Sequence, residues 1–182
     1  IILVKELREK ETADEIDRIA KTIEETLDAE TNSRVYISSG TIVSDLKDVA
    51  RSYKEAKMAL EVGKIFETDK YIVNYEKLGI GRLIYQLPLP LCRMFIKEVL
   101  HGLTMDDFDE ETLTTINKFF ENSLNVSETS RQLYIHRNTL VYRLDKLQKM
   151  TGLDLRNFDD AIIFKITLMV SKYMIYMDKM AY

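Results

Sequence analysis

The chain has 182 residues, of which 46% are apolar, and a formal net charge of −4 at pH 7. This length accommodates one domain or two small ones, and the composition is typical of a globular protein. No apolar run approaches the ~20 residues that span a bilayer, no signal-peptide pattern opens the sequence, and the single Cys92 cannot form an internal disulfide. These features predict a cytoplasmic protein and exclude a membrane protein or a disulfide-stabilised secreted scaffold.

The first half of the chain alternates between predicted strands and helices. The apolar run IILVKEL at 1–7 predicts a buried strand, and apolar residues at helical spacing predict a helix over 11–27. RVYISSGTI at 34–42 predicts a second strand, Ser44 is placed to cap a following helix, and KYIVNY at 70–75 predicts a third strand. The order β-α-β-α-β predicts an α/β sandwich, with helices packed on a sheet.

The segment Leu87-Pro88-Leu89-Pro90 contains both prolines of the chain. Because proline interrupts helices and strands, this segment predicts a boundary between a domain at 1–87 and a domain at 88–182. After it, helical spacing predicts helices at 91–100 and 109–122, and a last helix from about 159 to 177. The whole chain is therefore predicted to be α+β, with an α/β domain followed by an all-α domain. Cys92 is expected to lie in the core.

Residues 125–151 predict two short helices joined by a tight turn. Asn125 and Glu128 have capping-box spacing, so a helix is expected from there to about Leu133. A second helix is expected from Arg137, with His136 at its boundary, to Gly152, a residue that suits the position just past a helix end. Tyr134 occupies the turn position where glycine is common.

The second of these helices has a narrow apolar face. At about 100° per residue, that face carries Leu140, Leu144, Leu147 and Thr151, which are expected to be buried. The opposite face carries Asn138, Tyr142, Asp145 and Lys149, and the flanks carry Arg137, Thr139, Arg143 and Lys146. Between 123 and 152, the five basic residues 131, 137, 143, 146 and 149 face only Glu128 and Asp145, which predicts a local basic patch.

LYIHRNTLVYRL at 133–144, followed by TGLDL at 151–155, resembles the C-terminal DNA-binding domain of the PucR and sugar-diacid-regulator group of bacterial transcription factors. A weaker resemblance runs through RSYKEAKMALEVG at 51–63 and YEKLG at 75–79, which are similar to the degenerate GGDEF-like domain of that group. The resemblance implies a partial GGDEF-like domain, a helix-turn-helix domain, and a regulator controlled by a small metabolite sensed upstream. GGDEF-like domains open with further elements, so the chain is expected to be a fragment.

A helix-turn-helix unit places the N-terminal residues of its second helix in the major groove of double-stranded DNA. Side-chain chemistry then predicts base contacts from Arg137, Asn138 and Tyr142. The residues predicted to contact phosphates are Ser127, Thr139, Arg143 and Lys146.

Two other functions are compatible with the sequence. The two-helix unit fits a dimerisation or protein-interaction module that never meets DNA, and the resemblance to GGDEF-like domains raises the possibility of a nucleotide cyclase. Such an enzyme needs acidic metal ligands at the phosphates. The GGDEF sequence itself would lie before Ile1, and catalysis is not expected because the resemblance is to the degenerate, regulator-type version of the domain. No phosphate-binding glycine loop occurs in these residues. His101 and His136 lack metal-ligand spacing with Cys92. We therefore expect no catalytic residue, metal or cofactor.

The last predicted helix carries more apolar residues than one small core needs. They are Met169, Val170, Tyr173, Met174, Tyr176, Met177 and Met180. Two interpretations remain: part of the core with a frayed end, or the interface of a homodimer, since many helix-turn-helix proteins bind two half-sites through two-fold symmetry.

Overall fold

The computed structural model describes residues 1–8, 12–32, 35–66 and 70–180. The chain is mostly helical, and the sheet formed by these residues has two parallel strands. The molecule divides into two compact units, Ile1–Gln86 and Leu87–Tyr182. Both strands belong to the first unit, and the regular elements described in the second unit are helices.

The first unit contains a parallel strand pair with a helical crossover. Its elements are α1 (Ala13–Thr31), β1 (Ile37–Ser39), α2 (Val49–Phe66), β2 (Ile72–Asn74) and α3 (Ile80–Tyr85). Ile37 of β1 lies opposite Ile72 of β2, and α2 provides the crossover that parallel strands require. Gly63 lets α2 approach the sheet closely, because a Cβ there would lie 2.6 Å from a methyl group of Val73.

The strand predicted at residues 1–7 is wrong. Residues 1–8 have no regular secondary structure, and the side chains of Ile1, Ile2, Leu3 and Val4 are each at least 67% exposed. A strand needs a neighbouring strand to bond its backbone groups, and β1 and β2 bond each other in the part of the chain that is described. The structure therefore contains a two-stranded sheet and does not establish an α/β sandwich.

The other predicted elements of the first unit form with different limits. The strands expected at 34–42 and 70–75 shorten to three residues each, while the first helix extends to Thr31. Arg34 and Glu11 lie outside the described residues. Ser44 does not cap α2, because the chain enters that helix through a 3-10 turn at Leu46–Asp48.

In its described residues, 87–180, the second unit contains five α-helices packed around an apolar core. They are α4 (Leu89–Val99), α5 (Glu110–Glu121), α6 (Val126–Gln132), α7 (Arg137–Thr151) and α8 (Phe158–Met180). The fully buried side chains that form its core include Leu100, Ile116, Phe119, Leu140, Leu144, Leu147, Leu155 and Phe164. Cys92 is buried, as predicted. Pro90 lies in the first turn of α4, where the missing N–H of proline breaks no helical bond.

The last helix is partly buried and partly exposed. Val170 and Tyr173 are buried, and the hydroxyl of Tyr173 donates a 3.4 Å hydrogen bond to the carbonyl of Leu87. Its exposed apolar side chains are Phe158, Ile162, Ile163, Ile175 and Met180. Among the helices described, α8 included, none has the length and apolar character needed to cross a membrane.

Candidate nucleic-acid interface

Helix α6 begins with a side-chain cap. Asn125 Oδ1 accepts a 3.0 Å hydrogen bond from the N–H of Glu128, as the capping-box spacing predicts. The carboxylate of Glu128 accepts from the side chains of Arg131 at 2.6 Å and Gln132 at 2.9 Å. The hydrogen bond from Arg131, followed by that from Gln132, lowers the pKa of Glu128. Of the two bonds in a capping box, the one from the Glu128 N–H to the Asn125 side chain therefore forms. The Glu128 side chain instead accepts hydrogen bonds from Arg131 and Gln132 within α6.

The turn after α6 places Tyr134 in the left-handed region, with φ of 56°. Its N–H donates to the carbonyl of Arg131 at 3.2 Å, and the N–H of Ile135 donates to the carbonyl of Ser130 at 3.0 Å. This pair of bonds is the Schellman motif, in which glycine usually occupies the left-handed position. The side chain of Tyr134 is 96% exposed. The sequence predicts the turn, whereas the exposure of this aromatic side chain is visible only in the structure.

Helix α7 has both of its predicted ends. The N–H of Asn138 donates to Nδ1 of His136 at 3.2 Å, so His136 is the N-cap. At the other end Gly152 has φ of 78° and its N–H donates to the carbonyl of Gln148 at 2.8 Å. These local bonds determine where α7 begins and ends. The cap uses the His136 side chain and the N–H of Asn138, so the side chains of Arg137 and Asn138 take no part in it.

The apolar face of α7 is buried as predicted, and its outer face is exposed. Leu140, Leu144, Leu147 and Thr151 are buried. The predicted contact residues on α7 that are exposed are Arg137, Asn138, Thr139, Tyr142 and Lys146. Arg143 differs from them, because its side chain is only 20% exposed.

Arg137 lies against the start of α6. Its Nη1 is 3.4 Å from the hydroxyl oxygen of Ser127, to which it donates. Ser127 is exposed and occupies the first turn of α6. The fold thus brings a predicted base-contacting residue beside a predicted phosphate-contacting residue that is ten positions earlier in the chain.

The two basic side chains on one flank of α7 meet acidic residues at the start of α5. The guanidinium of Arg143 binds the carboxylate of Glu111 and the hydroxyl of Thr115, the latter at 3.0 Å. Lys146 Nζ lies 3.6 Å from the carboxylate of Asp109. Glu111 also lines a shallow cleft with Glu110, Thr114, Leu133, Ile135 and Arg143.

These contacts make the basic patch weaker than the count of residues 123–152 predicts. Arg131 is paired with Glu128, Arg143 with Glu111, and Lys146 with Asp109. Within the ranges described, Arg137 and Lys149 form no ion pair. Asp109 and Glu111 lie before residue 123 in the sequence, so their negative charges are not part of the segment 123–152 that predicts the patch.

Metal-site chemistry is not visible in the described residues. No group of three or more His, Cys, Asp and Glu side chains there is arranged to hold an ion. Cys92 is enclosed by the core, and this burial raises the pKa of its thiol.

The segment that contains α6 and α7 matches a known domain family. Residues 112–170 match the family described as the PucR C-terminal helix-turn-helix domain. This segment is a PucR-type helix-turn-helix domain. Residues 1–62 match the family described as the GGDEF-like domain. The first match contains the motifs at 133–155, and the second contains nearly all of the motif at 51–63, while the motif at 75–79 lies outside the matched residues.

Several bacterial proteins are similar to this chain over more than two thirds of its length. The carbohydrate diacid regulator of Escherichia coli (strain K12) is 31% identical over 139 residues, which is 76% of this chain and 36% of that protein. The purine catabolism regulatory protein of Bacillus subtilis (strain 168) is 28% identical over 132 residues, 72% of this chain and 25% of that protein. The DNA-binding transcriptional activator AdeR of the same strain is 33% identical over 132 residues, 68% of this chain and 30% of that protein.

The chain therefore spans about a quarter to a third of the length of these relatives. A solved structure, the regulator of polyketide synthase expression from Bifidobacterium adolescentis, aligns with a TM-score of 0.38 and 21% identity over 68% of this chain and 50% of that one. All four names describe regulators, and among them AdeR is named a DNA-binding transcriptional activator.

Proposed function

We propose that this chain is the DNA-binding part of a bacterial transcriptional regulator and that α7 is its recognition helix. The observation that carries the proposal is the geometry of α7 within a PucR-type domain. Its leucine face is buried in the core, while Arg137, Asn138 and Tyr142 are exposed along its first turns. The N-terminal part of the second helix is the part that enters the major groove in this motif.

The roles of the exposed residues follow from their chemistry. Arg137 suits guanine O6 and N7, Asn138 suits adenine N6 and N7, and Tyr142 is placed one turn later to contact a base or a sugar. Ser127 at the start of α6, with Thr139 and Lys146 on one flank of α7, would contact phosphates. For Arg143, a phosphate contact would require the guanidinium to leave Glu111 and Thr115.

The full-length protein is proposed to act in the cytoplasm as a homodimer that responds to a small metabolite. The exposed apolar side chains of α8 support a dimer, because a second copy of the chain would bury them. A two-fold dimer would also match paired DNA half-sites, as in many helix-turn-helix proteins. The effector would bind outside residues 1–182. The match of residues 1–62 supports a GGDEF-like α/β sandwich in the full-length protein, which would connect sensing to the PucR-type domain at 88–182.

DNA binding is tested by enrichment and salt dependence. The purified chain is incubated with a randomised duplex library, bound duplexes are recovered, and the affinity of the enriched duplex is measured from about 50 to about 200 mM salt. Binding through Lys and Arg predicts a steep loss of affinity over this range. A protein-interaction module would enrich no sequence, and self-association through an apolar surface would persist at the higher salt.

Two further measurements address the dimer and the enzyme alternative. Sedimentation at tens of micromolar is expected to give a dimer for the full-length protein, and truncation after Tyr173 is expected to weaken it if α8 is the interface. A monomer would contradict the dimer but leave the DNA proposal in place. Incubation of the full-length protein with GTP and Mg²⁺ is expected to yield no cyclic product.

A further inference from the structure

We propose that Arg143 is a positioning residue, which fixes α7 against α5 through Glu111 and Thr115, and that it does not hold a DNA phosphate. The inference rests on the proposed function and deepens it. It separates two basic residues, Arg143 and Lys146, that helical periodicity places on the same flank of α7.

Helical geometry gives these two residues different distances from the core. At about 100° per residue, Arg143 lies about 60° from the leucine face of α7, while Lys146 lies about 120° from it. The side chain of Arg143 is 20% exposed and that of Lys146 is 52% exposed. Arg143 therefore borders the core, whereas Lys146 lies nearer the outer face.

Both hydrogen-bond partners of Arg143 lie on α5, and both bonds are formed in this structure. Thr115 is 2% exposed, and its hydroxyl donates to the carbonyl of Glu111 at 2.8 Å while accepting from Arg143 Nη1 at 3.0 Å. Arg143 Nη2 donates to the carboxylate of Glu111. A guanidinium presents several donors in a rigid plane, so it can make both bonds at once.

A phosphate contact would dismantle this arrangement. Arg143 would leave the buried Thr115 hydroxyl without its donor, and the carboxylate of Glu111 would remain beside a negatively charged DNA backbone. The Thr115 hydroxyl would keep its bond to the carbonyl of Glu111 but lose the charge-assisted bond from Arg143, and bringing like charges together is also unfavourable. Both terms favour keeping Arg143 on α5 when DNA is bound.

The hydrogen bonds of Arg143 restrict the rotation of α7, which the buried leucine face does not. Burial of apolar side chains is non-directional, so Leu140, Leu144 and Leu147 tolerate small rotations of α7 about its axis. Two charge-assisted bonds to one neighbouring helix restrict that rotation. Arg137 and Asn138 must meet base edges at fixed positions, and the direction of their side chains depends on the rotation of α7 about its axis.

Lys146 is the matched control. Its Nζ is 3.6 Å from Asp109, and both side chains are more than half exposed. An exposed ion pair of this kind contributes little and is exchanged easily for a phosphate. Removing Lys146 is therefore expected to remove a phosphate contact, whereas disturbing Arg143 is expected to disturb alignment.

The test measures two affinities by fluorescence anisotropy over a KCl series. One probe is the duplex that the wild-type chain enriches from the randomised library, and the other is a duplex of scrambled sequence. The variants are Glu111→Gln, Arg143→Lys, their combination, and Lys146→Ala. Glu111 is 67% exposed, so Glu111→Gln is expected to fold. Circular dichroism at the assay temperature verifies folding for each variant.

A positioning role predicts that Glu111→Gln lowers the ratio of enriched to scrambled affinity roughly tenfold, the scale of one base contact. Arg143→Lys should lower the ratio similarly, because lysine lacks the planar fork whose two nitrogens bond Thr115 and Glu111 separately. The combined variant should lose little more, since either change breaks the same contact. Neither change should alter the salt slope, while Lys146→Ala should reduce it by about one for both duplexes.

The opposite results would overturn the inference. If Arg143 held a phosphate, Glu111→Gln would release it and raise the affinity for both duplexes, and Arg143→Lys would keep the selectivity. An unchanged or increased affinity ratio for Glu111→Gln therefore rejects the positioning role. Failure of the proposed function looks different, because the wild type and Lys146→Ala would then both lack salt-dependent duplex binding.

Discussion

Arg143 Nη1 donates a 3.0 Å hydrogen bond to Thr115 Oγ1, which joins the flank of α7 to the buried face of α5. The two residues are 28 positions apart in the chain. Thr115 belongs to the helix before the helix-turn-helix pair, so the bond connects the supporting helix of the PucR-type domain with the helix proposed to read DNA. The direction of the exposed side chains on α7 depends on such contacts outside the two-helix unit.

Arg137→Ala tests the reading of bases. The variant is expected to lose about 1 to 3 kcal/mol of binding free energy on the enriched duplex and to relax selection at one base position. The reason is that an arginine fork matches the two acceptors of guanine. Anisotropy on single-base variants of the duplex is the measurement. Equal weakening of enriched and scrambled duplexes would instead identify Arg137 as a phosphate contact.

Tyr134→Gly is expected to stabilise the second unit by up to about 1 kcal/mol, because glycine adopts the left-handed conformation without the steric penalty of a side chain. Tyr142→Gly is the control with the opposite sign. Tyr142 is also exposed but lies inside α7, where glycine is expected to cost about 0.5 kcal/mol relative to tyrosine. Urea unfolding gives both values. Destabilisation by Tyr134→Gly would mean that its side chain makes a contact worth more than the backbone strain.

Thr129→Val is expected to leave the free energy of unfolding unchanged or raise it by about 1 kcal/mol. Thr129 is fully buried, and its hydroxyl has no hydrogen-bond partner among the described residues, so valine removes an unsatisfied group of similar shape.

Thr151→Val is the comparison for this effect. The hydroxyl of Thr151 donates to the carbonyl of Leu147 at 2.9 Å and accepts from the N–H of Leu153 at 3.2 Å. Its loss is expected to cost about 1 to 3 kcal/mol. Equal destabilisation of the two variants in thermal unfolding would show that Thr129 has an unrecognised partner.

Asp109 is expected to contribute to acid sensitivity. The side chain and the backbone N–H of Thr112 both donate hydrogen bonds to the Asp109 carboxylate, and the backbone nitrogen lies 2.7 Å from Oδ1. These hydrogen bonds lower the pKa of the Asp109 carboxyl below its ordinary value of 3.8. Because the pKa is lower in the folded state, the charged carboxylate stabilises the fold above the unfolded pKa, and this stabilisation is lost as pH falls through the folded value.

Asp109→Asn keeps a capping oxygen that does not titrate. Between about pH 5 and about pH 3, the wild type should therefore lose more stability than this variant. The urea midpoint at each pH is the measurement, and parallel curves for the two proteins would refute the assignment.

The sequence by itself determined the two-helix unit, because the interactions that define it are local. Asn125 caps α6, His136 caps α7, and Gly152 ends α7 through bonds that reach at most four residues along the chain. The spacing of Leu144 and its neighbours likewise follows from helical periodicity, and these side chains are buried. The base and phosphate assignments themselves remain predictions.

Only the tertiary structure decided the features that depend on distant partners. The apolar run beginning at Ile1 predicts a strand, but a strand forms only where another strand supplies its hydrogen bonds. In the structure this run has no regular secondary structure, and its first four side chains are exposed. Arg143 and Lys146 lie on the same flank of a helical wheel, so periodicity alone does not show which of them has a partner on another helix. Folding places Glu111 beside the first from 32 positions away, and this contact removes a charge from the basic patch that a local count had included.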